Sequence, residues 1–281
     1  CRGFESLLRY QSSKIGPVRS GHHRDWQRSG ARYGVFMPIA PTSDPAVESP
    51  ERSNGLIDSF GRRITYVRMS VTDRCDLRCR YCMPQNMKFL PRREVMTLEE
   101  IARLAELFVG RGVRRIRLTG GEPLVRRDII DLFRALGRNL GAGLNELTLT
   151  TNATQLAQYA DDLASAGVKR VNISLDTRDR ARFAQLSRRD VLPQVLDGIR
   201  AATAAGLRVK INAVALKGFN EDEQFSITDW CAREGHDLTW IEVMPMGDLG
   251  NEDRLDQYWS LKDLRARYAD RYALTDLAER S

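Results

Sequence analysis

The 281-residue chain holds only three histidines, no apolar run near the ~20 residues that span a bilayer, and no two separated pairs of cysteines. Each shortage excludes something. Without a long apolar run, neither a membrane-spanning helix nor the apolar core of a secretory signal is expected. The five cysteines should then stay reduced in a cytosol-like compartment. The histidines are His22, His23 and His236, so a mixed Cys/His zinc site has little to draw on. No internal repeat is evident. What is present, 42% hydrophobic residues, is enough to bury a large core.

A net charge of +7 points toward nucleic acid until it is partitioned. Residues 1–43 carry seven Lys/Arg against Glu5 and Asp25, a balance of +5, leaving a nearly neutral body. This arm lacks apolar periodicity, and "PIAPTSDPAVESP" (38–50) closes it with four prolines. Residues 1–54 are therefore expected to be a disordered basic arm and linker, with no nucleic-acid or membrane partner. The expected location is cytoplasmic, or mitochondrial if the arm is a transit segment.

From residue 64 the chain alternates short apolar runs with helical stretches. Strands are expected at 64–71, 114–120, 146–152, 170–176, 208–216 and 238–245. Helices are expected at 97–111, 126–139, 155–166, 178–187, 192–205, 221–233 and 260–270, the first opened by a capping box between Thr97 and Glu100. Such alternation forces parallel strands with right-handed crossovers, either doubly wound or closed toward a barrel. Five strands end in polar or glycine-rich sequence ("SVTDRC", "TGGEP", "TTN", "SLD", "VMPMG"), which favours one shared mouth. The expected fold class is α/β, a partial (β/α)6 TIM-like barrel over residues 55–247, with 248–281 beginning a further extension.

"CDLRCRYC" (75–82) puts three cysteines within eight positions. A closed zinc site wants four ligands, and inert core thiols would not alternate with Asp76, Arg78 and Arg80. A four-iron, four-sulfur cluster held by three thiolates with one iron open is the favoured reading, and an open iron calls for an exogenous ligand. Strand parity adds a second signal. Arg117 alternates with Ile116 and Leu118, and Lys210 with Val209 and Ile211. If the apolar set faces the helices, the basic residues point into the lumen.

The C-x3-C-x2-C motif with Tyr81 before its third cysteine resembles that of the radical S-adenosylmethionine (SAM) enzymes. "SVTDRCDLRCRYCMP" (70–84), "FLPRREVMTLEEI" (89–101), "IRLTGGEPLVRRD" (116–128), "LTTN" (149–152), "VNISLD" (171–176) and "VKINAVALKGFNEDE" (209–223) together resemble the GTP 3′,8-cyclases of molybdenum-cofactor biosynthesis. The resemblance implies a [4Fe–4S] cluster on Cys75, Cys79 and Cys82. It implies SAM lined by Tyr81, Gly121, Ser174 and Met244, with Glu122 near the methionine amino group. It implies GTP held by Arg68, Arg117, Thr150 and Lys210, an external electron donor, and ribose C3′ hydrogen abstraction by a 5′-deoxyadenosyl radical followed by attack on guanine C8. Whether the chain pairs as a homodimer stays open. That family carries a second three-cysteine cluster, whereas here only Cys231 follows residue 82. The chain is therefore expected to be an incomplete form. Ala153, where the family commonly has glycine, is expected to be tolerated if its φ is negative. Two rivals stay open: another radical SAM enzyme acting on a peptide or small metabolite, and a non-enzymatic iron–sulfur or zinc protein.

Overall fold

A computed structural model describes residues 55–243 and 257–276. The basic arm, residues 244–256 with Met244 among them, and residues 277–281 therefore lie outside the described residues. Six strands, β1 (Tyr66–Ser70), β2 (Arg115–Thr119), β3 (Glu146–Thr151), β4 (Arg170–Ser174), β5 (Arg208–Ala215) and β6 (Asp237–Glu242), form one sheet. Between and after them run α1 (Leu98–Gly110), α2 (Ile129–Gly137), α3 (Leu156–Ser165), α4 (Arg180–Ser187), α5 (Leu192–Ala204), α6 (Gln224–Glu234) and α7 (Leu261–Ala269).

The strands pair in parallel in the order β1-β2-β3-β4-β5-β6. A doubly wound sheet reverses its strand order at a switch point, and this one does not. Consecutive right-handed crossovers then place the helices on one face, which curls the sheet into a partial barrel. Side-chain parity follows. Ile116, Leu118, Leu149, Val171, Ile173 and Ile211 are each fully buried against the helical layer, and their neighbours in sequence face the lumen.

Local chemistry fixes the element ends. The capping box is present, with Thr97 N–H donating to Glu100 Oε2 at 2.7 Å and Glu100 N–H to Thr97 Oγ1 at 3.2 Å. The stretch expected as a helix from 126 starts only at Ile129, because Asp128 sits at φ 60° and Pro123–Val125 forms a 3₁₀ turn. The condition set for Ala153 is not met, since its φ is +64°. A non-glycine residue there costs roughly 1 kcal/mol. The turn is held by Ala153 N–H on Thr151 Oγ1 (3.0 Å) and Leu156 N–H on Ala153 O (3.2 Å), and the alanine methyl is completely buried.

Candidate active site

The three cysteines lie in the loop that leaves the C-terminal end of β1. Cys82 N–H (2.9 Å) and Met83 N–H (3.0 Å) donate to Cys79 O, a tight turn that brings the second and third cysteines together. Leu77 N–H points at Cys75 Sγ from 3.3 Å. The thiols are close enough to repel one another as thiolates, and burial pushes Cys75 up to about 11 and Cys79 higher still. A metal must therefore displace protons to bind here.

The loop is latched across the barrel mouth. Asn152 Nδ2 (2.7 Å) and Thr154 Oγ1 (2.5 Å), both just beyond β3, donate to the Asp76 carboxylate. Tyr81 donates its hydroxyl to Asp176 Oδ2 at 2.6 Å, past the end of β4, and the other oxygen of Asp176 accepts Val214 N–H of β5 at 2.7 Å. Arg78 N–H and Arg80 N–H reach Ser187 O (3.1 Å) and Leu186 O (2.9 Å) at the end of α4. Tyr81 is thus fixed between two of the cysteines, while Ser174 stands exposed at the mouth, in register with Asn212.

Gly120 and Gly121 meet the cysteine loop itself. A Cβ on Gly120 would stand 2.4 Å from Thr72 O, and one on Gly121 2.3 Å from Arg74 O. The backbones are also bonded, Gly121 N–H to Thr72 O and Glu122 N–H to Arg74 O, each at 2.8 Å. Close approach to protein backbone therefore already requires glycine, whatever the pair does for a ligand.

The Glu122 side chain also turns inward. Its carboxylate is buried and accepts Asn152 N–H (2.6 Å), Leu124 N–H (3.0 Å) and the Thr151 hydroxyl (2.8 Å). These bonds tie the end of β2 to the end of β3. Burial raises Glu122 to about 7 and Asp176 to about 6, above unfolded values of roughly 4. Both carboxyls therefore bind protons more tightly folded than unfolded, so stability falls as pH rises from about 4 through about 7. Urea midpoints measured across that range should decline. The decline should flatten in Glu122→Gln, which also loses about 1–3 kcal/mol from a donor left unsatisfied.

Below the loop, the lumen is polar and basic. A cavity of about 70 Å³ is lined by Tyr66 and Arg68 of β1, Arg115 and Arg117 of β2, Glu146 of β3, Arg170 of β4, Lys210 and Asn212 of β5, and Thr239 and Ile241 of β6. Of the four residues expected to meet GTP, Arg68, Arg117 and Lys210 line this cavity, while Thr150 does not but faces the same way, paired in register with Asn172, which pairs with Lys210. Lys210 is buried, while Arg68 is exposed on the edge strand. The sequence reading missed Tyr66, Arg115, Glu146 and Arg170, although each falls two residues before an inward position. The Tyr66 ring carries the guanidinium groups of Arg68, Arg115 and Arg117 at 5.8, 5.5 and 5.4 Å. Glu146 is the single carboxylate among five lining cations, and it pairs with Arg170 at 2.9 Å.

Residues 69–231 match the radical SAM superfamily. The GTP 3′,8-cyclase of Paracoccus denitrificans is 66% identical over 226 residues, covering 80% of this chain and 66% of that protein. That of Erythrobacter litoralis is 62% identical, covering 80% and 68%. The chain thus spans about two thirds of the length of these curated relatives. Among solved structures, Streptococcus suis SuiB bound to S-adenosylmethionine superposes with TM-score 0.60 at 21% identity, over 74% of this chain and 47% of SuiB. At that identity the likeness bears on the fold. No helix among the described residues is long and apolar enough to cross a membrane. With a match over more than half its length and relatives above 60% identity, the chain belongs to the radical SAM superfamily, in the branch of the GTP 3′,8-cyclases.

Proposed function

We propose that this chain carries the radical-generating and triphosphate-binding core of a GTP 3′,8-cyclase, which converts GTP to (8S)-3′,8-cyclo-7,8-dihydroguanosine 5′-triphosphate at the start of molybdenum-cofactor biosynthesis. The observation that carries the reading is the pairing, in one barrel, of a three-thiol loop at the C-terminal end of β1 with a lumen whose described lining holds five cations against one carboxylate.

The residues fit a three-thiolate cluster. Among the described residues, no three His, Cys, Asp or Glu stand close enough to share one metal ion. A cubane several ångströms across accepts a wider triad, and thiolates are its usual donors, so three of them would leave one iron open. Cys75, Cys79 and Cys82 would hold the cluster, which with SAM bound supplies one electron and a carbon-centred radical.

The remaining work falls to the chain. The latches through Asp76 and Asp176 hold the cysteine loop over the lumen and keep Tyr81 beside it. Arg68, Arg117 and Lys210 offer charge-assisted hydrogen bonds to a triphosphate, orienting the ribose toward the mouth. Thr150, with its side chain on the same inward parity, adds a neutral contact. Ser174, exposed at the end of β4, is assigned on this reading to SAM rather than GTP. A reductant outside the chain is required.

Calorimetric titration of the anaerobically reconstituted protein tests the reading. GTP should bind, and guanosine should bind at least about tenfold more weakly because it leaves the lumen cations without an anion. Equal affinity for the two would overturn the assignment.

A further inference from the structure

The proposed reaction needs an electron from outside, and the surface beside the cysteine loop has a distinctive build. Residues 73–94 include six Lys/Arg (Arg74, Arg78, Arg80, Lys88, Arg92, Arg93) against three acids. Two of those acids point into the fold: Asp73 accepts Leu90 N–H at 2.6 Å, and Asp76 is taken by Asn152 and Thr154. The third, Glu94, lies 3.8 Å from Arg93. What faces solvent is therefore mostly positive.

The same lip is apolar at its crest. Of the seven large hydrophobic side chains exposed among the described residues, three fall within ten positions here: Met87 (39%), Leu90 (49%) and Met96 (44%). It is also held in place. The Phe89 ring carries Arg74 and Arg78 at 5.7 and 5.1 Å, and Arg126 donates to Met96 O at 2.6 Å and to Val71 O. Beside the lip runs a cleft of about 390 Å³ whose walls carry four arginines, Arg74, Arg92, Arg126 and Arg127, against Asp73, which is turned to Leu90 N–H, and Asp128, which lies 3.4 Å from Arg127. Cys82, the exposed member of the triad, leads directly into this surface.

We infer that the 84–96 lip and its arginine-lined cleft form the docking surface for an acidic one-electron carrier protein. The inference rests on the radical SAM reading above. Fixed guanidinium groups around exposed methionine and leucine match the make-up of protein interfaces, in which Met and Arg are enriched. Complementary charge steers encounter and sets orientation. A single-stranded nucleic acid would favour open aromatic stacking platforms, and the one aromatic here, Phe89, is already covered by two arginines; a duplex bound through its phosphates would leave the exposed Met87, Leu90 and Met96 unused. In the step itself, one electron leaves the carrier, which is oxidised by one, and enters the cluster, which is reduced by one. No bond forms or breaks.

The test compares reconstituted wild type with the Lys88→Glu/Arg92→Glu/Arg93→Glu variant, using an acidic flavodoxin as probe and basic cytochrome c as sign control. At about 50 mM salt the variant should lose at least about tenfold in flavodoxin affinity, and the wild-type affinity should fall toward that of the variant at about 300 mM. Flavodoxin-driven cluster reduction should slow in parallel, while dithionite reduces both proteins alike and basic cytochrome c, which should not bind the wild type, gains affinity for the charge-reversed variant. Should the triple variant fail to retain iron, the single Arg92→Glu and Arg93→Glu variants carry the comparison. Unchanged flavodoxin affinity, or a variant whose only loss is of RNA binding or of self-association, would overturn the proposal. A wild-type protein that dithionite cannot reduce would instead overturn the radical SAM reading beneath it.

Discussion

Cys79→Ala is expected to leave a folded chain without iron. Cys79 is the middle cysteine of the proposed ligand set, and its carbonyl, not its thiol, closes the turn by accepting Cys82 N–H and Met83 N–H. Alanine therefore keeps the loop geometry and removes only the sulfur. Two thiolates do not retain a cubane, so iron in anaerobically reconstituted protein should fall from about four per chain to below about one, with circular dichroism unchanged. Cys231→Ala serves as control. That thiol is buried in α6 with its acidity suppressed by burial, and its loss should leave the iron in place at a cost of cavity formation alone. Full iron in the Cys79 variant would mean that the triad is not the ligand set.

How much of this was legible beforehand follows from the two periods of the chain. Alternation in "RRIRLTG" and "VKINAV" was enough to turn Arg117 and Lys210 inward, because apolar neighbours pack against the helices whatever the detailed geometry. The same rule, extended to "ELTLTT" and "RVNIS", would have found Glu146 and Arg170. Element existence was equally plain, and the ends moved by up to three residues where a local conformation intervened, as at Asp128. Long-range closeness was not legible. Nothing in "TGGEP" says that Gly121 lies against Arg74 O, or that the Glu122 carboxylate is consumed by Asn152 and Leu124. The left-handed turn at Ala153 was invisible for a related reason: alanine gives no sign of a positive φ, and the bonds that sustain it come from Thr151 and Leu156.

Lys210→Ala should separate the two ligands of the mouth. Lys210 is only 7% exposed, in register with Asn172 on one side and Asp237 on the other, and its ammonium lines the lumen. Removing one charge-assisted contact to a phosphate costs about 1.5–3 kcal/mol, which is about ten- to a hundredfold in GTP affinity. SAM is expected at the cysteine loop, with no contact to Lys210 on this reading, and its affinity should change less than about twofold. Arg117→Ala should weaken GTP comparably, yet it also removes a guanidinium from the Tyr66 ring and so should lower stability as well. Equal loss of GTP and SAM in the lysine variant would make that residue a structural support of the barrel, not a substrate contact.

The whole account depends on an iron that the polypeptide leaves without a side-chain ligand. Electron paramagnetic resonance of the dithionite-reduced, reconstituted protein tests this most directly, with spectra recorded before and after SAM is added. A reduced-cluster signal whose g-values shift on SAM addition is the result expected here. A protein that takes up no iron, or a cluster signal that SAM leaves unmoved, would contradict it.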